Sequence, residues 1–294
     1  MNMESPIAAV GFSKTDTEYK IEDIVGEILD APTKQMASRM TNSDILAEYS
    51  KVFAEDTYVM VRIVVKAGQK DTKIQVEQCE PYVESHHIIQ VEDLVVECVD
   101  DEYTYYAVCE EKETGMQFIF WLQNVVEYTE TLNTKKTFNE IKVAGLAMEG
   151  TVILPIEKDE DEEVSEKEER EKIKVMIQRA RDGDEEAREQ LEQEERELDE
   201  QLKERMLEED FLSIMSGYFV PTTLIDATYA VLGEITQINT RKNKKTGEEM
   251  YLFVLNVNDM FLELMINKNI LVGEPSVGMR FMGTCWLQGS IVIK

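Results

Sequence analysis

Between Glu157 and Asp210 the chain carries 25 acidic and 11 basic residues, a single glycine, no proline and no apolar run. A stretch of that chemistry cannot contribute a hydrophobic core, so it divides the chain into two segments that must build their cores without it. Glu, Lys, Arg, Gln, Leu and Ala dominate it, and these residues lose little rotamer freedom in a helix. Ile173, Ile177 and Ala180 share one helical stripe, and Ala187, Leu191, Leu198, Leu202 and Met206 share another. Glu195 breaks the second stripe, which favours a helix resting on a neighbour over a long coiled coil.

Asp182-Gly183-Asp184 punctuates the middle. Gly183 suits the left-handed position that ends a first helix, and Asp184 suits the cap of a second, with Glu185 and Glu186 at its positive end. Asp184–Arg188, Glu192–Arg196 and Asp199–Lys203 are spaced as i,i+4 ion pairs. The expectation is an acidic helical hairpin over 157–212, mobile from Glu157 to Ser165. It is either a solvated connector or a docking arm for a basic partner.

The length of 294 residues suits about two domains. The net charge of −29 repels nucleic-acid phosphates and anionic membrane surfaces at long range, and favours a basic protein or a cation as partner. MNMESPIAAVGFSK lacks the basic and apolar regions of a secretory signal. No apolar run approaches the roughly 20 residues that span a bilayer. Cys79, Cys98, Cys109 and Cys285 show no C-x-x-C spacing, so buried, reduced thiols and a cytoplasmic location are expected.

Residues 1–156 read as an N-terminal α+β domain. Ile21, Ile24, Val25, Ile28 and Leu29 define an amphipathic helix over Tyr19–Leu29, with Thr15-Asp16-Thr17 as capping candidates and Gly26 as an internal cost. A second short helix is expected over Ser43–Phe53. From Thr57 onward, β-branched and aromatic runs predict an antiparallel sheet of about five or six strands under the two helices. TYVMVRIVVKAG is apolar on both faces, as a central strand covered on both sides would be; MQFIFWLQNVVEY is another of these runs, and Met116–Leu122 within it reads as a buried strand. His86-His87, the only histidines, would point to opposite faces of a strand and are poorly placed to share a metal.

Residues 213–294 are near neutral and read as short strands in meander order: Tyr229–Thr240, Glu249–Asn258, Met260–Asn267, Met279–Leu287 and Ser290–Ile293. That set suggests a small OB-like β-barrel, with Gly278, Gly283 and Gly289 permitting sharp bends or close approach around Phe281 and Trp286. The fold class is therefore α+β: an N-terminal antiparallel sheet with two helices, a central charged α-hairpin and a C-terminal barrel. Arg241, Lys242, Lys244 and Lys245 form a basic hairpin tip. With Tyr229, Tyr251, Phe253 and Trp286 presented beside it, such a barrel could bind single-stranded nucleic acid.

Gly11-Phe12-Ser13, the run Phe118-Ile119-Phe120-Trp121-Leu122-Gln123-Asn124 and the tail GEPSVGMRFMGTCWLQGSI from Gly273 resemble an uncharacterised bacterial domain-of-unknown-function family. The resemblance runs along essentially the whole chain. It implies an architecture and a bacterial cytoplasmic setting, and no catalytic residue.

No G-x-S-x-G, G-x-x-x-x-G-K-[ST], G-x-G-x-x-G or H-E-x-x-H pattern occurs. No catalytic residue, cofactor or metal site is read from the sequence. The favoured reading is a non-catalytic protein-interaction or adaptor protein whose partner is a protein with a basic surface. The first alternative is a nucleic-acid module using Arg241, Lys242, Lys244 and Lys245. The second is an enzyme of unknown class, because 60 acidic residues make carboxylate spacing uninformative.

Overall fold

A computed structural model describes residues 5–14, 19–40, 43–66, 75–99, 103–132, 137–156, 160–208, 211–223 and 226–294, with backbone alone for 160–170, 195, 198–208 and 211. The elements in chain order are α1 (Pro6–Ala9), α2 (Ile21–Asp30), β1 (Lys34–Arg39), β2 (Ile45–Ala54), β3 (Thr57–Val65), β4 (Gln75–Val83), β5 (Ile89–Cys98), β6 (Tyr105–Glu111), β7 (Gln117–Leu122), α3 (Val125–Thr131) and β8 (Glu140–Ile153). The acidic hairpin follows as α4 (Glu160–Arg181) and α5 (Glu185–Glu208), then α6 (Phe211–Ile214). The chain closes with β9 (Tyr218–Pro221), β10 (Thr228–Lys242), β11 (Glu249–Val257), β12 (Met260–Asn267), β13 (Leu271–Val272) and β14 (Arg280–Ile291).

These strands make two sheets, so the α+β class holds. β1–β4 form a four-stranded antiparallel meander. α2 packs its buried Ile24 and Ile28 toward β2 and β3. β3 is central and almost wholly buried, as its two-sided apolar pattern predicted. The other ten strands form one continuous sheet.

Within the larger sheet, hydrogen-bonded pairing closes two rings on a common seam. β10, β11, β12, β8 and β14 pair in succession, and β14 returns to β10. β5, β6, β7, β14 and β8 do the same, and β8 returns to β5. Each ring has one parallel contact, β12 with β8 and β7 with β14. The seam is the antiparallel β8–β14 ladder, which runs from Ile141↔Ile291 to Ile153↔Arg280. Its backbones come close: a Cβ at Gly283 would lie 2.3 Å from the Glu149 carbonyl oxygen. Only glycine tolerates that approach.

Several expectations need correction. Ser43–Phe53 is not a helix. Ser43 takes φ +70° in the turn after β1, and Ile45–Ala54 is a strand paired with β1 and β3. A short apolar run fits either period, and pairing with the apolar β3 decides it. MQFIFWLQNVVEY is two elements, since the strand ends at Leu122 and Val125 begins a helix. Met279–Leu287 and Ser290–Ile293 are one strand rather than two. The fifth strand of the C-terminal ring is instead β8, which lies before the acidic hairpin in sequence. The capping candidates Thr15-Asp16-Thr17 and the segment Glu157–Asp159 lie outside the described residues, as do the side chains of Leu198, Leu202 and Met206 and the Asp199–Lys203 pair.

Among the cysteines, Cys109 and Cys285 are buried and Cys79 is half-buried, whereas Cys98 is exposed on β5, contrary to the expectation of burial. Burial pushes the thiols of Cys79, Cys109 and Cys285 up to about 12. They are protonated and unreactive near neutral pH.

Candidate functional site

The resemblance residues near the start have a structural task. Gly11 has φ +88°, and a Cβ there would stand 2.7 Å from Asn243 Cβ. This tight bend seats Phe12 in the core, edge-on to Phe53 and Tyr19. Asn243, fully buried, donates to the Val10 carbonyl, and Thr246 donates to the Gly11 carbonyl. Asn267 donates to the Ala8 carbonyl. The basic hairpin tip between β10 and β11 is thus built around the α1 segment.

That placement occupies part of the tip. Arg241 pairs with Glu55 at 3.3 Å and Lys245 pairs with Glu27, while Lys242 and Lys244 remain exposed. The ion pairs to Lys245 and Lys51 hold the Glu27 carboxyl below its usual range. The aromatic residues do not form a stacking platform. Tyr229, Phe253 and Trp286 are buried, Tyr229 lies on Phe219 at 4.2 Å, and half-buried Tyr251 stacks on Phe253. Their task is core packing, because inward positions of a small closed ring must be filled by side chains. The structure does not bring Arg241, Lys242, Lys244 and Lys245 together with exposed rings.

A different site was not foreseen. The register across the smaller sheet lines up Met36, Glu48, Arg62 and Gln78 in one row, and Lys34, Ser50, Met60 and Glu80 in the next. A cavity of about 420 Å³ lies over Met36 and Glu48 of the first row and Lys34, Ser50 and Met60 of the second, and is also lined by Gln123, Asn124, Glu127, Lys142 and Ser290. Behind its lining residue Glu48 lies an ion pair. Arg62, fully buried, donates from Nη2 and Nε to Glu48 Oε1 at 2.7 and 3.0 Å. Arg62 also donates to Gln78 and to the Tyr103 carbonyl, and lies over the Trp121 ring at 5.3 Å. Trp121 in turn meets Trp286 at 5.4 Å, which links the smaller sheet to the seam. Burial pushes the Glu48 carboxyl up, opposed by the Arg62 charge and by the Val126 N–H at the start of α3.

Glu80 is the odd member. Burial pushes its carboxyl up to about 7, and the Arg62 charge only partly offsets that. The sequence signal for this network was a lone arginine in an otherwise apolar strand, with its acidic partner in a segment read as helix. His86 and His87 lie in the link between β4 and β5 rather than on a strand. His86 Nε2 is 2.9 Å from Asp56, which raises the imidazole pKa, and His87 sits near Phe261. Among the described residues no group of three His, Cys, Asp or Glu side chains could hold a metal ion.

The acidic hairpin folds as its turn chemistry dictates. Gly183 has φ +92°, and Asp184 Oδ1 accepts from the N–H groups of Glu186 and Ala187. Asp184 pairs with Arg179 at 2.6 Å rather than with Arg188, which pairs with Glu185. The hairpin docks. Lys174 reaches Asp259 in the β11–β12 turn at 3.5 Å, and Arg181 reaches Glu110 on β6 at 2.6 Å. Those two anchors tie α4 to the β11–β12 turn of one ring and to β6 of the other. Glu185, Glu186, Glu189, Glu192 and Glu197 of α5 are exposed.

No helix among the described residues is long and apolar enough to cross a membrane. A family described as "Domain of unknown function, E. rectale Gene description (DUF3881)" matches residues 7–289. No curated protein and no solved structure matches.

Proposed function

We infer that this chain, which belongs to that family of unknown function, is a non-catalytic protein-interaction or adaptor protein. In this reading the α4–α5 hairpin offers an acidic surface to a partner with a basic one. The observation that carries it is the asymmetry of the hairpin. Basic Lys174 and Arg181 of α4 bind it to the body, while α5 holds eleven acidic and four basic residues and leaves at least five of its glutamates exposed. The strand order of both rings, with one parallel contact each, supports reading them as OB-like barrels. The rings then serve as the rigid body that positions the arm.

Affinity capture with the full chain tests this. A basic protein should be retained at about 0.05 M salt and released at about 0.5 M, because exposed charge contacts are screened within a Debye length. Replacing Glu185, Glu186, Glu189 and Glu192 by lysine should abolish retention. A retained partner indifferent to both salt and charge reversal refutes the acidic-arm reading.

A further inference from the structure

Among the described residues, the smaller sheet ends at β1 on one side and β4 on the other, and the larger sheet ends at β9. An open edge offers unpaired N–H and C=O groups to another strand unless proline, a bulge or charge blocks it. β4 carries Pro81 and a register shift opposite Arg62/Ile63, and β9 ends on Pro221. β1, with the sequence KQMASR, has neither proline nor a register shift, five of its six residues are exposed, and its two charges stand at its ends, Lys34 paired with Glu84 and Arg39 at the last position.

The phase of β1 is fixed by its turn. Met40 donates to the Asp44 carbonyl, and the register pairs Ser38 with Leu46, Met36 with Glu48 and Lys34 with Ser50. In an antiparallel ladder residues alternate between hydrogen-bonded and non-hydrogen-bonded pairs. Within β1 the even-numbered residues therefore spend their backbone groups on β2, and just before it Thr33 donates to the Ser50 carbonyl. The N–H and C=O groups of Gln35, Ala37 and Arg39 face away from the sheet.

We propose that β1 pairs antiparallel with β1 of a second copy of this chain, making one eight-stranded sheet across a two-fold axis at Ala37. Only the register centred on Ala37 uses all three outward residues. It sets Gln35 opposite Arg39 of the second copy, Ala37 opposite Ala37, and Arg39 opposite Gln35, each pair exchanging two backbone hydrogen bonds. The intervening residues match as well, with Met36 opposite Ser38 and Lys34 opposite Met40. No like charges face each other, and the smallest side chain lies on the axis. β1 also holds no anion in a chain of net charge −29, so the strands themselves add no negative charge where the copies meet, and its Lys34 is already paired with Glu84. Such self-complementarity is what an isologous interface requires. The dimer would carry two acidic arms, but the pairing does not depend on what those arms bind.

Sedimentation equilibrium of the full chain tests the proposal at 0.15 M salt up to about 200 µM, a range suited to a small strand–strand contact. A concentration-dependent dimer is expected, and its association constant should rise several-fold between about 0.05 and 0.3 M salt as the repulsion between acidic bodies is screened. Ala37→Pro removes an N–H that β2 does not use, so it should leave circular dichroism unchanged and yield a monomer. Ala37→Glu, which places like charges on the axis, should weaken the dimer at least tenfold and decides the matter should the proline variant misfold. A chain that is monomeric throughout, a dimer unaffected by these substitutions, or one that dissociates on adding salt overturns the proposal.

Discussion

Replacing Glu80 with glutamine should change how stability depends on pH, in a direction fixed by the structure. The half-buried Glu80 carboxyl, in the Lys34–Ser50–Met60–Glu80 row, loses part of its hydration on folding, which pushes it up from 4.5 to about 7. A raised carboxyl binds more protons in the folded chain than in the unfolded one between those two values. Stability due to this group is therefore greatest below pH 4.5, falls as pH rises toward 7, and is flat above it. At about 1.36 kcal/mol for each pH unit of displacement, the cost of ionising Glu80 reaches about 3 kcal/mol at pH 8. Glutamine keeps the shape and omits the charge.

The measurement is urea unfolding followed by tryptophan fluorescence, for which buried Trp121 and Trp286 are the reporters. Wild type and Glu80→Gln are compared from pH 4.5 to 8. Every other titrating group, His86 and the acidic hairpin included, is common to both proteins and cancels in the difference. The two should be nearly equal at pH 4.5, and the variant should be more stable by roughly 2–3 kcal/mol at pH 8. Parallel curves across that window would refute the claim that folding desolvates Glu80 against its charge.

The ion pair beneath the cavity should behave differently. Arg62→Met leaves Glu48 buried without its counter-charge and should cost about 3–5 kcal/mol at pH 7, whereas the double replacement Arg62→Met with Glu48→Leu should cost much less. Chemical denaturation of both variants checks this. Two glycines should respond with opposite signs in thermal unfolding. Gly26 is exposed within α2 and has open space at its Cβ position, so Gly26→Ala should stabilise by about 0.5–1 kcal/mol. Gly11→Ala should destabilise by more than about 1 kcal/mol, because left-handed backbone and the Asn243 contact both oppose a side chain.

Local chemistry was legible in the sequence wherever neighbours in the chain decide structure. Gly183 and Asp184 ended one helix and capped the next as their types require, and β10, β11 and β12 appeared close to their expected bounds. What escaped is what distant partners decide. Ser43–Phe53 reads equally well at either period until β3 lies beside it. The polar network behind the cavity needs Glu48, Arg62 and Gln78 from three strands in register, and no spacing within one strand announces that. The basic tip looked free because the residues that occupy it, Glu27, Glu55 and the Gly11 turn, lie about 200 positions away.

The parting of chain order from spatial order bears most on how the molecule can be divided. Within each ring, three consecutive strands are followed by a helical turn and a fourth strand: β5, β6, β7, α3 and β8 in one, and β10, β11, β12, the 3-10 turn Lys268–Ile270 and β14 in the other. Each fourth strand pairs antiparallel with the first strand of its own set and parallel with the third strand of the other. The two sets are thus related by an approximate two-fold exchange of their last strands, and the acidic hairpin is the connection that lets one chain make both. Residues 213–294 alone lack β8, leaving the inner edges of β12 and β14 unpaired along most of the seam. That fragment should show strand content without cooperative unfolding, and adding residues 1–156 in trans should restore a single transition. A fragment that unfolds cooperatively by itself would show that the ring closes without β8, against the pairing on which this fold rests.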